Sequence, residues 1–300
     1  MDRGRPSPRL AMKGKWERRR GEDGRRRRDA VVAVTSGLLL VAMTWGTLRL
    51  PPRPLSGRAS LAPPMMSAGA ASTLARHSVE DLDQPIVQFP TVFWEPRDTD
   101  SLRHWIRTSA FVRGKKILEI GTGTGLLALC CVRAGAASVV ATDVNPAAIE
   151  NVRYNAAQLG LPGLIETRLV ALDNRGAYAV IRPGERFDLI ISNPPWENAH
   201  AGRIAEFALF DENFALLHSL LDGLPDHLAT DGRCLLSYGC VTAIRELIRT
   251  ARERQLETKI LDHRRLEDLP ELFLPGMLIE VTVPDAAPAG VASPPPPSCA

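Results

Sequence analysis

Between residues 116 and 283 the chain alternates between short apolar runs and stretches whose apolar positions recur every three or four residues. Apolar runs bounded by turn residues read as buried strands, and the 3.6-residue period reads as helix. Residues 116–120 are thus a predicted strand, 126–134 a helix and 138–142 a second strand. Residues 146–159 form a helix opened by Asn145 as N-cap, with Pro146 at its first position, where a missing N–H costs nothing. Strands at 165–172 and 187–192 follow, then a helix over about 204–221, a strand at 234–238 and a helix at 242–255. Segments 258–261 and 278–283 close the pattern as an antiparallel pair. Strands alternating with helices predict an α/β fold: a doubly wound, mostly parallel, seven-stranded sheet with helices on both faces. Ligands of such sheets bind beyond the carboxyl ends of the strands.

The pattern leaves both ends of the 300-residue chain outside the fold. Residues 1–29 are a basic leader with the runs Arg18 to Arg20 and Arg25 to Arg28. Residues 30–48 carry no charge and are just long enough to span a bilayer as a helix, or to serve as the apolar core of a cleaved targeting peptide. Residues 49–79 are a Pro-, Ala- and Ser-rich linker or transit region in which 51–78 contain no Asp or Glu. The segment around Arg58-Ala59-Ser60-Leu61-Ala62 resembles the junction of two-part plastid targeting leaders. The leader therefore points to a plastid, a mitochondrion or a membrane anchor; if Met65 or Met66 is the true start, the expectation is cytoplasmic. Residues 80–284 are the expected folded domain, and 285–300, with prolines at 294–297, a Pro-rich tail.

Charge sharpens this division. Residues 1–79 hold 16 Lys and Arg against 5 Asp and Glu, whereas the remainder holds 21 against 29. The part expected to do chemistry is acidic, which disfavours a naked nucleic acid as its partner, since non-specific binding there depends on neutralising phosphates. Five cysteines show neither metal-ligand spacing nor a disulfide framework, which fits a reducing compartment and no metal site. Cys130 and Cys131 fall in an apolar helical run and read as small buried hydrophobes.

Candidate chemistry clusters at the predicted strand ends. Glu119, Gly121, Thr122, Gly123 and Gly125 leave the 116–120 strand and enter a helix, as a backbone turn that a ligand can approach closely would. Asp143, followed by Val144, ends the next strand, where a carboxylate can accept two ribose hydroxyls. Asp173, beside Asn174, is placed to receive an amine proton from adenine. A glycine turn alone also suits a dinucleotide, so a dehydrogenase stays open at this point. The strand at 187–192 then runs into Asn193-Pro194-Pro195-Trp196. Two prolines make a rigid non-helical step that aims the Asn193 side chain and the Pro194 carbonyl into the cleft. A planar nitrogen bearing two hydrogens could donate to both, with Trp196 stacked on it.

Together these motifs resemble the class I, Rossmann-like S-adenosylmethionine-dependent methyltransferases over most of residues 90–284. The Asn-Pro-Pro-aromatic step resembles enzymes that methylate exocyclic base amines or glutamine amides. The stretch Pro96-Arg97-Asp98-Thr99 resembles the element ahead of the cofactor strand in release-factor glutamine methyltransferases. Two departures stand: residues 1–89 cannot supply the helical recognition domain of that family, and Trp196 stands where Tyr is common. The resemblance implies that Glu119, Gly121, Thr122, Gly123, Gly125, Asp143, Val144, Asp173, Asn174 and Asn193 hold S-adenosylmethionine. It places Asn193, Pro194, Pro195 and Trp196 at the chemical site. The expected activity is N-methylation of a planar amide or amine, of protein glutamine first. An RNA or DNA amine, a small molecule, or a cofactor-binding scaffold without activity are the alternatives.

Overall fold

Residues 74–284 are described by the structure, a computed structural model. The basic leader, the apolar segment 30–48 and the Pro-rich tail 285–300 lie outside the described residues, as does the linker up to residue 73. Among the described residues no helix is long and apolar enough to cross a membrane.

Alternation of side chains along the strands decides the two layers of the core. In β3 (Lys116–Ile120), Leu118 and Ile120 face one side of the sheet and Ile117 the other; in β6 (Phe187–Ser192), Ile190 opposes Leu189 and Ile191. One side packs on α4 (Ala215–His227) and α5 (Val241–Glu253) through Leu217, Leu224, Ile244 and Leu247. The other packs on α1 (Asp100–Thr108) and α2 (Leu126–Arg133) through Leu102, Ile106, Leu127 and Cys131. A sheet covered on both faces needs strands that are apolar throughout, which is why the 3.6-period and continuous runs alternate so cleanly in the sequence.

The remaining sheet strands are β4 (Ser138–Asp143), β5 (Ile165–Leu169), β7 (Leu228–Cys240), β8 (Glu257–Ile260) and β9 (Leu272–Thr282). Their order is β5-β4-β3-β6-β7-β9-β8, seven strands of which the first five run parallel while β9 is antiparallel to both its neighbours. The chain winds outward in one direction through β4 and β5, then in the other through β6 and β7. The reversal falls between β3 and β6, and a crevice opens above their carboxyl ends.

Three expectations change. The helix expected over 204–221 is instead two short 3-10 turns, Ile204–Ala208 and Glu212–Phe214, followed by α4. Asp211 imposes the break: its two carboxylate oxygens accept the N–H groups of Leu216 and Leu217 at 2.9 and 3.1 Å, starting a new helix there. Strands β7 and β9 reach well beyond the expected 234–238 and 278–283: β7 starts early by pairing Leu228 and Arg233 with β6, and β9 starts early by pairing Leu272 and Met277 with Cys240 and Tyr238 of β7. Secondary structure is also present ahead of residue 80. Strand β1 (Ala75–His77) pairs antiparallel with β2 (Ile86–Gln88) in a hairpin.

That hairpin is strapped to α3 (Pro146–Gln158) by two fully buried side-chain amides. Asn155 Oδ1 accepts the Val87 N–H at 2.9 Å and Asn151 Oδ1 accepts the Phe89 N–H at 2.8 Å. Both Nδ2 groups donate to the Val87 carbonyl, and Asn155 also reaches the Thr124 carbonyl of the glycine turn at 2.9 Å. Every polar group of these two buried side chains is thereby used, which is the condition for keeping amides inside an apolar region.

Candidate active site

The glycine turn hangs from β4. Gly121 and Thr122 both donate to the Thr142 carbonyl at 2.9 Å, and Gly123 donates to Asp143 Oδ2 at 2.9 Å. Gly121, Gly123 and Gly125 all have positive φ. Gly125 is doubly constrained: at φ +83° a Cβ would also lie 3.0 Å from a Val152 methyl, so the turn can rest directly on α3 only with glycine there. Glu119, 2% exposed, braces the turn from below by accepting from the Thr122 hydroxyl at 2.7 Å and the Ala128 N–H at 3.1 Å. Burial pushes its carboxyl up to about 8, against the pull of those two donors.

Asp143 ends β4 with both oxygens engaged, Oδ2 by Gly123 and Oδ1 by the Asn145 N–H at 2.8 Å. Burial raises its carboxyl and the backbone donors lower it. Each oxygen keeps lone-pair capacity for a further donor. The cleft above the turn is lined by Glu119, Gly121, Thr122, Gly123, Asp143, Val144, Asn193, Pro194 and Pro195. Sequence-expected residues from three separate strand ends therefore converge on one crevice.

Asn193 is the most informative of them. Its Oδ1 is buried and has no hydrogen-bond partner, one of three such side-chain atoms among the described residues. The amide also acts on the neighbouring Asp98 carboxyl, which it pulls down against the burial that raises it. A buried carbonyl oxygen without a donor is costly unless something arrives to fill it, so its presence in a cleft marks a binding position. Ser192, just before it, fixes the strand end by donating to the Ile120 carbonyl at 2.7 Å.

Trp196 does not join the cleft, contrary to expectation. It packs against the α4–α5 side of the core and donates its indole N–H to the Ser237 carbonyl at 3.3 Å. The space for its ring exists because residue 239 is glycine, where a Cβ would come within 2.5 Å of the indole. The aromatic surface of the cleft comes instead from Phe93, Trp94 and Phe207. Arg175 lies over the Phe207 ring, 5.0 Å from its centroid. Asp173 and Asn174 are likewise displaced: both are exposed and neither lines this cleft. Strand β5 stops at Leu169, and the following turn carries the pair outward while Val170, Arg175, Gly176 and Ala177 face in.

Asp98 went unmarked as a site residue in the sequence. It lies in a 3-10 turn, Pro96–Thr99, that covers the front of the crevice. It is 5% exposed, and burial, with the nearby Glu95 carboxylate, pushes its carboxyl up to about 7. Phe207 and Ile204 were hidden by the helix expected there, and nothing local in the sequence separates them from core positions.

The model of the methyltransferase small domain matches residues 98–252, and the chain belongs to that family. It is similar to the release factor glutamine methyltransferases of Cereibacter sphaeroides, with 36% identity over 41% of this chain and 46% of that one, and of Bordetella pertussis, with 32% identity over 52% and 59%. It is also 40% identical to the ribosomal protein L11 methyltransferase of Symbiobacterium thermophilum, over 27% of this chain and 23% of that one. The chain spans between 23% and 59% of the length of these relatives.

Proposed function

We propose that the protein is an S-adenosylmethionine-dependent N-methyltransferase whose substrate is the side-chain amide of a protein glutamine. The observation that carries this reading is the buried, unpartnered Oδ1 of Asn193 beside the glycine turn. An acceptor without a donor calls for a substrate N–H. Pro194 and Pro195, which lack N–H groups, add no competing donor to the same step.

The residues present fit the cofactor. Gly121, Thr122 and Gly123 leave open backbone for close approach, Asp143 retains capacity for two hydroxyl donors, and Val144, Ala148 and Val170 offer an apolar wall to a flat base. When bound, S-adenosylmethionine supplies a methyl carbon made electrophilic by positively charged sulfur. The protein's own part is positional. Asn193 Oδ1 takes one amide hydrogen and fixes the nitrogen, while Phe93 and Phe207 keep water away. Protein rather than nucleic acid is favoured by the acidity of residues 80–300 and by relatives that are named for protein substrates.

The test is incubation with methyl-labelled S-adenosylmethionine and fractionated extract. Label in protein that resists nucleases and is recovered after digestion as methylglutamine is the expected result; label in RNA, DNA or a small molecule would overturn the substrate. Asn193→Ala should abolish transfer while leaving cofactor affinity within about threefold, since it removes a substrate acceptor and no cofactor charge.

A further inference from the structure

The two edges of the seven-stranded sheet are guarded very differently. At one of them β8 turns Glu257 and Lys259 to solvent. Charges on an edge strand, lysine above all, discourage pairing with another chain. The other edge is β5. Among the described residues four large apolar side chains are exposed, and three of them, Leu164, Leu169 and Leu172, lie in β5 or within three residues of it. The ladder with β4 decides which backbone groups of β5 face outward. The Val139 N–H donates to the Leu164 carbonyl at 2.9 Å and the Val170 N–H to the Asp143 carbonyl at 2.8 Å, with Thr167 opposite Ala141. By alternation, residues 164, 166, 168 and 170 bond inward, while Ile165, Thr167 and Leu169 present N–H and C=O groups to the open side. No strand lies beyond them among the described residues.

This strand is complementary to itself. Read about Thr167, the run Ile165-Glu166-Thr167-Arg168-Leu169 sets apolar against apolar and acid against base. Centring on Ile165 or Leu169, the other positions that match outward groups, would set Glu166 and Arg168 against Leu164 and Pro162, or against Leu172 and Val170. We propose that β5 pairs antiparallel with β5 of a second copy, centred on Thr167, so that two sheets join edge to edge. Thr167 exchanges two backbone hydrogen bonds with its counterpart, and Ile165 exchanges two with Leu169 at each end. Glu166 stands opposite Arg168 of the other copy, and Ile165 covers the exposed Leu169 on the same face. A two-fold axis through Thr167 closes the contact on itself, so association stops at two copies. So short an edge falls at the low end of specific interfaces, which sets the dissociation constant at about 1–100 µM. The pairing is independent of which substrate the cleft takes.

The experiment has two arms on the full chain, held in nonionic detergent to cover the apolar segment 30–48. In the first, sedimentation equilibrium from about 1 to about 200 µM should show a monomer–dimer equilibrium. Leu169→Lys, at an exposed position and checked for an unchanged fold by circular dichroism, should weaken association by about tenfold or more. The second arm reads the register in a chain carrying Cys299→Ser. Thr167→Cys should form a disulfide between copies under mild oxidation, since facing residues of such a pair lie about 5.5 Å apart at Cα. Leu164→Cys should form none, because its counterpart lies about 20 Å away along the ladder. A native chain that stays monomeric at about 200 µM overturns the proposal. So does a dimer that Leu169→Lys leaves intact, or one that cross-links as readily through residue 164 as through 167. A monomer whose transfer to substrate peptides falls in Leu169→Lys would give the edge to the substrate and overturn the second copy as its occupant.

Discussion

The two walls of the crevice are assembled from very different distances along the chain. On the β3–β4 side, Gly123 bonds to Asp143 across 20 residues, and the turn, the acid and the helix between them form one local unit. On the β6 side, Ser237 holds the Asp98 carbonyl across 139 residues, and Asn193 faces Asp98 from a different element altogether. The first wall is written as a pattern; the second exists only once the sheet has closed. Parts of one local unit stay in register when the rest of the molecule breathes, whereas a wall built from remote pieces depends on the packing of everything between them. Cofactor binding and substrate gripping are therefore expected to fail under different substitutions.

The sharpest way to break this contrast is Asp143→Ala. It removes an acceptor for two hydroxyls and releases Gly123, so affinity for S-adenosylmethionine by calorimetry should fall by about 100-fold or more; a change under threefold would mean that the β3–β4 wall does not hold the donor. Next is the pH dependence of stability set by Glu119, whose carboxyl is raised from 4.5 to about 8 by burial. A raised acid contributes stability that is complete below its unfolded value and disappears as the pH rises through its folded one. Urea midpoints should thus decline between acid and alkaline pH, and Glu119→Gln, which can still accept from Thr122 and Ala128, should flatten that decline by ~2 kcal/mol or more. Equal slopes in the two proteins would show that the buried carboxyl does not titrate in this range.

Smaller effects belong to the β6 side. Gly239→Ala forces the Trp196 ring to move and should cost about 1–3 kcal/mol in chemical denaturation, with an altered tryptophan emission and cofactor affinity unchanged. Loss of cofactor binding in that variant would join the two walls into one unit. Trp196→Phe should be milder still, costing about 1 kcal/mol for the indole bond to Ser237 and leaving turnover within about threefold. A collapse of turnover would return Trp196 to the chemical site.

What the sequence made legible follows the same line. Strands β3 and β6 were readable to the residue, because continuous apolar runs ended by glycine or by Asn-Pro have few other interpretations. Gly121 to Gly123, Asp143 and Asn193 were readable because strand ends place them at one edge, whereas Gly125 rests on Val152 of α3 and does not line the cleft. Trp196 was misplaced because adjacency to Asn193 says nothing of which way the next but two side chain turns; that was decided by Gly239, a residue on another strand. Asp173 and Asn174 were misplaced because β5 ends earlier than its apolar run suggested, and a carboxylate four residues past a strand end has no fixed direction. Asp98 was missed since a buried acid in a Pro-containing turn looks in sequence like any other turn residue. The break at Asp211 was missed for a related reason: its effect depends on two N–H groups five and six residues ahead, not on any period.

The amides of Asn151 and Asn155 have a practical consequence for anyone trimming this protein. They act as a substitute strand edge for residues 87–89, and a shorter polypeptide that began beyond Gln88 would strand those polar groups in a dry interior, at a cost of about 1–3 kcal/mol for each one left bare. Because Asn155 also grips the Thr124 carbonyl, the damage would reach the donor-binding loop directly. A catalytic fragment cut for expression should therefore keep everything from Leu74 onward, even though the hairpin contributes no side chain to the chemistry proposed for the crevice.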